Sequence, residues 1–188
     1  MRVVGGRHRG RALKTPADHN VRPTLDRTRE SVFNILAHAI DGFDMDGVSV
    51  VDLFCGTGAL GLEALSRGAG HVTFIDTDRT SLALTKTNAA TLGEWRNTTL
   101  LKIDIQRLGP PPLAAKAPCQ LAFLDAPYER GLTQPALLAL VNKGWVGPGS
   151  VIVAEVAEKE PLASPRALDV IDERPYGAAR VVFLQYRA

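Results

Sequence analysis

The stretch Val48-Ser49-Val50-Val51-Asp52-Leu53-Phe54-Cys55-Gly56-Thr57-Gly58-Ala59-Leu60-Gly61 decides how the rest of the chain is read. Val48–Phe54 is a run of apolar and β-branched residues, as in a strand buried on both faces. Gly56, Gly58 and Gly61 follow in G-x-G-x-x-G spacing, and the residues onward to Arg67 read as a helix stopped by Gly68. Glycines there let the backbone turn tightly and approach a ligand, with a helix N-terminus aimed at it. Such a turn points to a nucleotide-like ligand without saying which one. Asp52, four residues before Gly56, argues against a nicotinamide dinucleotide, because a carboxylate beside the turn suits a cationic amino group better than a pyrophosphate. A chain of 188 residues also leaves no room for a separate substrate domain.

Outward from this unit, strand and helix alternate. Strands are expected at His71–Ile75, Thr98–Ile103, Gln120–Asp125 and Val151–Val156, with helices at Arg79–Leu92 and Pro135–Lys143. Two further strand-like runs, Ala167–Ile171 and Arg180–Tyr186, flank Pro175-Tyr176-Gly177 and should pair antiparallel at one edge. The expected fold is α/β: a Rossmann-like, seven-stranded, mostly parallel sheet with an antiparallel edge pair, covered on both faces. Open sheets of this kind bind ligands beyond the carboxyl ends of their strands. Besides Asp52, two carboxylates fall there. Asp76 ends the second strand, 20 residues after Gly56, where it can accept two hydrogen bonds from ribose hydroxyls. Asp104 follows the third strand, where it can hold an adenine amino group. One strand-end Asp usually caps a loop. Three on consecutive strands point to a ligand.

Asp125-Ala126-Pro127-Tyr128 closes the fourth strand at the same edge. It suits methylation of an exocyclic base amine by a sulfonium donor. The amine lone pair is delocalised into the ring, so it must be drawn toward tetrahedral geometry. The Asp125 carboxylate and the Ala126 carbonyl, both accepting from the NH₂, aim that lone pair at the methyl group. Pro127 biases Ala126 toward extended backbone and so fixes its carbonyl. Tyr128 offers a ring on which an unstacked base can lie, worth roughly 1–3 kcal/mol. Read alone, the tetrapeptide is also an ordinary strand-ending turn.

Composition sets the remaining bounds. The chain is 45% hydrophobic with a net charge of +2, which fits one folded domain and excludes wholesale disorder. No apolar run reaches a membrane span, and Met1–Gly6 lacks the pattern of a signal peptide. Cys55 and Cys119 suit neither a metal quartet nor a redox pair, and the histidines show no ligand spacing, so no metal is expected. A cytoplasmic monomer is the expectation. Charge is unevenly placed: residues 1–30 hold eight basic and three acidic groups, +5, and the remainder 14 and 17, −3. Such a head suits a polyanion, or is a solvated arm. Arg2–Val4 and Ala12–Lys14 read as a hairpin around a glycine-rich tip, Thr24 as the N-cap of an amphipathic helix through Ile40, and Asp41–Gly47 as a linker. Residues 1–44 are accordingly assigned to a basic extension and 45–188 to the sheet domain.

Taken together, the chain resembles the class I S-adenosylmethionine-dependent methyltransferases of the amino-methylating branch. Within it, the chain is similar to the bacterial 16S rRNA guanine-N2 methyltransferases of the RsmD type. The resemblance is carried by Arg2-Val3-Val4-Gly5-Gly6, Arg9-Gly10-Arg11, Arg22-Pro23-Thr24, Asp26-Arg27, Arg29-Glu30 and Phe33-Asn34, then by Gly58–Arg67 and Asp125–Gly131. It implies that Asp52, Gly56 and Gly58 surround the methionine moiety of S-adenosylmethionine, with Phe54 also at the cofactor, that Asp76 takes the ribose and Asp104 the adenine, and that the Arg22-Pro23-Thr24 segment closes over the donor with Thr24 and Arg27 near it. It implies Asp125, Ala126, Pro127 and Tyr128 as the catalytic loop. Arg7, Arg9, Arg11 and Arg22 are expected to contact the phosphates of 16S rRNA in the small subunit or its assembly intermediate. One departure is Ala126, where the family usually has Pro. An adenine-N6 methyltransferase on DNA or RNA shares the tetrapeptide chemistry, and a catalytically silent ribosome-assembly factor would share the fold.

Overall fold

The apolar runs at Val48–Phe54, His71–Ile75, Gln120–Asp125 and Val151–Val156 form the central strands of one mixed sheet. The computed structural model describes residues 1–16, 23–128 and 130–187, and of residues 23–25 the backbone only. The strands are β1 (Ser49–Leu53), β2 (His71–Asp76), β3 (Thr98–Lys102), β4 (Leu121–Asp125), β5 (Val151–Ala157), β6 (Leu168–Tyr176) and β7 (Ala179–Tyr186). Their order is β3-β2-β1-β4-β5-β7-β6, with β1 to β5 parallel and β7 antiparallel to both of its neighbours. Among the described residues the helices are α1 (Pro23–His38), α2 (Ala59–Ser66), α3 (Arg79–Leu92) and α4 (Thr133–Asn142). Successive strand residues point to opposite faces, so β1 feeds two cores. Val50 packs with Phe33, Leu36, Leu62, Phe74 and Phe123 on one face, while Val51 and Leu53 pack with Leu137, Leu140 and Trp145 on the other.

The three glycines after β1 do different jobs. A Cβ on Gly61 would fall 2.4 Å from the Phe74 ring, so this glycine lets α2 lie close on the sheet. Gly58 has φ +76°, and a Cβ there would meet Thr85 at 2.7 Å. Gly56, at φ +53°, has no such neighbour and faces open space. α3 is capped by Asp78, whose carboxylate accepts from Thr80 N and Ser81 N, and it ends at Gly93 in the left-handed conformation.

Some expected boundaries move for identifiable reasons. α1 begins at Pro23, placing Thr24 inside the first turn rather than at the cap; proline is preorganised for a first helical position. β1 stops at Leu53 because Phe54 turns to φ +60°. β6 runs on to Tyr176, five residues past its expected end, through Asp172-Glu173-Arg174-Pro175. That polar half is an exposed sheet edge with a register shift between Val170 and Asp172, where charge and proline discourage further strand pairing. The N-terminal hairpin is irregular: one Arg2–Ala12 bridge, with the tip folded into a 3₁₀ turn over Gly6–His8. Val3 and Leu13 share a core with Val50 and Leu62, so the boundary drawn between residues 44 and 45 does not separate two cores. Trp145 is a buried anchor whose Nε1 donates to Gly109 O at 2.9 Å. Cys55 and Cys119 are buried free thiols, and burial pushes Cys119 up to about 12.

Candidate active site

Two cavities meet at the carboxyl end of β4. The larger, about 620 Å³, has apolar walls from Ile75, Ile103 and Ile105 and carboxylates from Asp76 and Asp104. The smaller, about 260 Å³, lies between the glycine turn and β5, lined by Asp52, Gly56, Arg29, Val153 and Glu155 among others. Phe54 and Asp125 line both. Phe54 holds φ +60°, a conformation that costs a bulky L-residue about 1–3 kcal/mol and is concentrated at functional sites. This turn carries the chain across the junction of the cavities.

The strand-end carboxylates also hold the loops. Asp52 is fully buried, and its Oδ2 accepts from Gly61 N at 2.9 Å, satisfying one of the free amides at the start of α2. Burial pushes the Asp52 carboxyl well up, against the Gly61 bond, with Asp125 and Asp76 adding to the rise. A cation arriving in the smaller cavity would favour the ionised form. Asp76 accepts from Gly56 N at 3.0 Å and from Asp78 N at 2.9 Å, one bond on each oxygen. Each oxygen keeps a second lone pair for a ribose hydroxyl. Asp104 accepts from Gln106 N at 3.0 Å and caps the following 3₁₀ turn. A slot walled by isoleucines and carrying the Asp76 and Asp104 carboxylates fits an adenosine group. The residues present therefore fit S-adenosylmethionine.

Asp125 ends β4 facing the cleft, opposite Glu155 of β5. Poor solvation at the cleft floor and the Glu155 charge push its carboxyl up to about 7. Ala126 is buried, and Pro127 lines the larger cavity. The Tyr128 hydroxyl donates to Glu155 Oε1, and burial, reinforced by that bond, pushes the phenol well above its usual range. Tyr128 remains 43% exposed, its ring available for stacking but pinned at its far end.

The expected site residues do not all gather here. Gly58 lines neither cavity and serves the turn from beneath. Arg27 is exposed and lines a surface groove with Arg2 and Arg9. Arg22 and the side chain of Thr24 lie outside the described residues. Arg7 pairs with Glu94 at 2.7 Å, and Arg11 donates to Thr91 O at 3.0 Å, so two hairpin arginines are tied down to the end of α3 and the turn after it. His8 joins them, 2.6 Å from Glu94. Sequence reading missed Glu155, a lone carboxylate interrupting the apolar run Val151–Val156. It also gave no site role to Arg29, which is buried, lines the smaller cavity and pairs with Asp26 at 2.9 Å. Among the described residues no cluster of His, Cys, Asp and Glu could hold a metal ion, and no helix is long and apolar enough to cross a membrane.

A parallel five-stranded sheet extended by an antiparallel pair, with a glycine turn after β1 and an acceptor loop after β4, defines the Rossmann-like methyltransferase fold. The chain belongs to the family described as Conserved hypothetical protein 95, which it matches over residues 1–185. It is 38% identical over 156 residues to Ribosomal RNA small subunit methyltransferase D of Escherichia coli K12, spanning 82% of this chain and 74% of that one. It is 32% identical over 183 residues to the protein of the same name from Haemophilus influenzae, spanning 94% and 89%. The solved structure of yhhF from Escherichia coli superposes with a TM-score of 0.83 at 30% identity, covering 100% of this chain and 98% of that one.

Proposed function

We propose that this protein transfers a methyl group from S-adenosylmethionine to the exocyclic N2 amine of a guanine in small-subunit ribosomal RNA. The observation that carries the reading is the placement of Asp125 at the junction of the two cavities, since a methyl acceptor must be held where donor and base meet. The names of the relatives support the substrate class. S-adenosylmethionine supplies an electrophilic methyl group when bound. Asp76 and Asp104 would hold its ribose and adenine, and Asp52 its amino group.

The chain's own residues do the remaining work. The Asp125 carboxylate and the Ala126 carbonyl accept from N2, which turns its lone pair toward the donor, and the Tyr128 ring supports the base. Most of the acceleration comes from this orientation. As N2 gains its methyl group it must lose a proton, and Asp125 is a base of matched strength to receive it. Exposed Arg2, Arg9 and Arg27 line a groove for RNA phosphates, which they share with Asp26 and Glu30. Undermethylated 30S particles incubated with tritiated cofactor should gain label in 16S rRNA, recovered as N2-methylguanosine, while duplex DNA gains none. Cofactor binding without label in RNA would leave a silent assembly factor as the reading, and label in adenine would leave the adenine-N6 enzyme.

Asp76→Ala should weaken binding of S-adenosylhomocysteine by about 3–6 kcal/mol, the loss of two hydrogen bonds to a charged acceptor at about 1.5–3 kcal/mol each. Because Asp76 also holds Gly56 N, part of that loss comes from a looser glycine turn. Calorimetric titration measures it, and an unchanged affinity removes Asp76 from the ribose.

A further inference from the structure

Asp125 is not the only carboxylate in the acceptor corner. Glu155 stands opposite it in the parallel β4–β5 register, so both side chains leave the sheet on the same face. Both line the smaller cavity. Glu155 is held in place from the loop, because the Tyr128 hydroxyl donates to its Oε1. The methyl-transfer chemistry derived above uses Asp125, Ala126 and Tyr128 and leaves Glu155 without a task. Two neighbouring carboxylates are costly unless something supplies donors to both, and their mutual repulsion is part of what raises Asp125.

The bases differ in what flanks their exocyclic amine. Adenine N6 lies between N1 and N7, both acceptors. Cytosine N4 lies between N3, an acceptor, and a carbon. Guanine N2 lies between N3 and N1, and N1 carries a hydrogen. Guanine alone therefore presents adjacent donors on one edge, and an unstacked base can be read on that edge. A carboxylate beside the amine holder accepts from guanine N1–H but meets a lone pair on adenine. We propose that Glu155 accepts the N1–H of the target base while Asp125 holds N2, making Glu155 the residue that selects guanine over adenine. Tyr128 then has two tasks: its ring supports the base, and its hydroxyl keeps Glu155 aimed at the base edge.

This inference rests on the proposed N2-guanine reaction, and 2-aminopurine separates the two. That base keeps the N2 amine but has no hydrogen on N1. The modified guanine is first located by sequencing of labelled rRNA, and ligated 16S rRNA is then assembled into particles with guanine or 2-aminopurine at that position. Sites built to bond a substrate N–H reject analogues lacking it strongly, so the wild-type protein should prefer guanine by about 10²-fold or more in kcat/KM. Glu155→Ala should lose most of its activity on guanine and reduce the preference to about threefold or less. Glu155→Gln, whose amide oxygen still accepts N1–H, should recover part of both. A purely structural role would lower both substrates together and leave the ratio intact, which overturns the proposal. If the variants fail to fold, wild-type rates decide: equal rates on guanine and 2-aminopurine overturn it. Because 2-aminopurine also lacks O6, a large ratio upholds the N1–H contact when 6-thioguanine, which keeps N1–H without O6, is methylated like guanine, and overturns it when 6-thioguanine is rejected as 2-aminopurine is. Absence of wild-type methylation on guanine would instead sink the underlying reaction.

Discussion

Asp125→Ala should bind S-adenosylhomocysteine with nearly unchanged affinity and methylate 30S particles about 10²–10³-fold more slowly, the cost of removing one preorganised group at a reacting centre. The split follows from where Asp125 sits. It ends β4 and lines both cavities, two strands away from Asp76 at the end of β2 and three from Asp104 after β3. Its loss therefore leaves the cofactor contacts in place and removes an interaction made with the amine alone, so kcat falls more than the cofactor Kd rises. Equal losses in both would mean that Asp125 belongs to the cofactor.

The same residue sets the pH response. Its carboxyl must be ionised to accept from N2, and poor solvation at the cleft floor with Glu155 beside it moves that ionisation from the usual 3.8 to about 7. Activity should therefore rise with pH and level off above about 7, falling about tenfold per unit on the acid side. In stability the sign reverses. The folded protein holds this proton more tightly than the unfolded chain, so Asp125 stabilises the fold at low pH and that contribution is lost as pH rises from about 4 to about 7. Asp125→Asn should thus melt no lower than wild type at pH 8 while being far less active. A variant that melted lower and bound no cofactor would mean the activity loss was one of folding.

The central unit of the fold was legible because its signals are local and redundant. Apolar β-branched runs, a glycine turn and a helix-stopping glycine each point to the same strand or helix, as Gly68 does after α2. What escaped was polar or set by tertiary contacts. The second half of β6 reads as a charged loop because an edge strand carries few apolar residues. Phe54 ends β1 one residue early through a backbone conformation that no propensity of phenylalanine anticipates.

The site was legible to the same degree. Carboxylates at strand ends are visible in sequence, so Asp76, Asp104 and Asp125 fall where expected at the larger cavity. Glu155 does not announce itself, since only the β4–β5 register places it beside Asp125. The basic head shows the converse. Counted along the chain it is a block of free positive charge, yet Arg7 and Arg11 spend hydrogen bonds on the end of α3 and the turn beyond it, and Arg29 is buried in ion pairs. Net charge reports how many cations exist, not which of them remain available to a phosphate.

Those buried pairs make Glu63 a position where a single substitution should cost much of the stability. Its carboxylate, fully buried in α2, accepts from Val4 N at 2.8 Å, from Gly5 N at 2.7 Å and from Arg67 Nε at 2.8 Å, and Arg29 Nε lies 3.5 Å away. One side chain thus fastens the N-terminal hairpin and α1 onto α2. Glu63→Ala leaves the Val4 and Gly5 amides and Arg67 Nε without their acceptor, and removes the counter-charge beside Arg29 Nε, which hydrogen-bonds to no other atom among the described residues. Breaking a buried pair by removing one partner costs about 3–5 kcal/mol, and the surviving Asp26–Arg29 pair favours the lower end. At about 2–4 °C per kcal/mol for a domain of this size, Tm should fall by about 6–12 °C. Glu63→Gln, which keeps an acceptor but loses the charge, should fall between the variant and wild type. The loss should reach function through position, because Met1 and Arg29 line the smaller cavity and the hairpin carries Arg9 to the surface groove. Hydrogen exchange separates the hub from general destabilisation: the Val4 and Gly5 amides should lose protection under native conditions while the β1 and β4 amides keep theirs. A melting temperature within 2 °C of wild type, or uniform loss of protection, would remove Glu63 from this role.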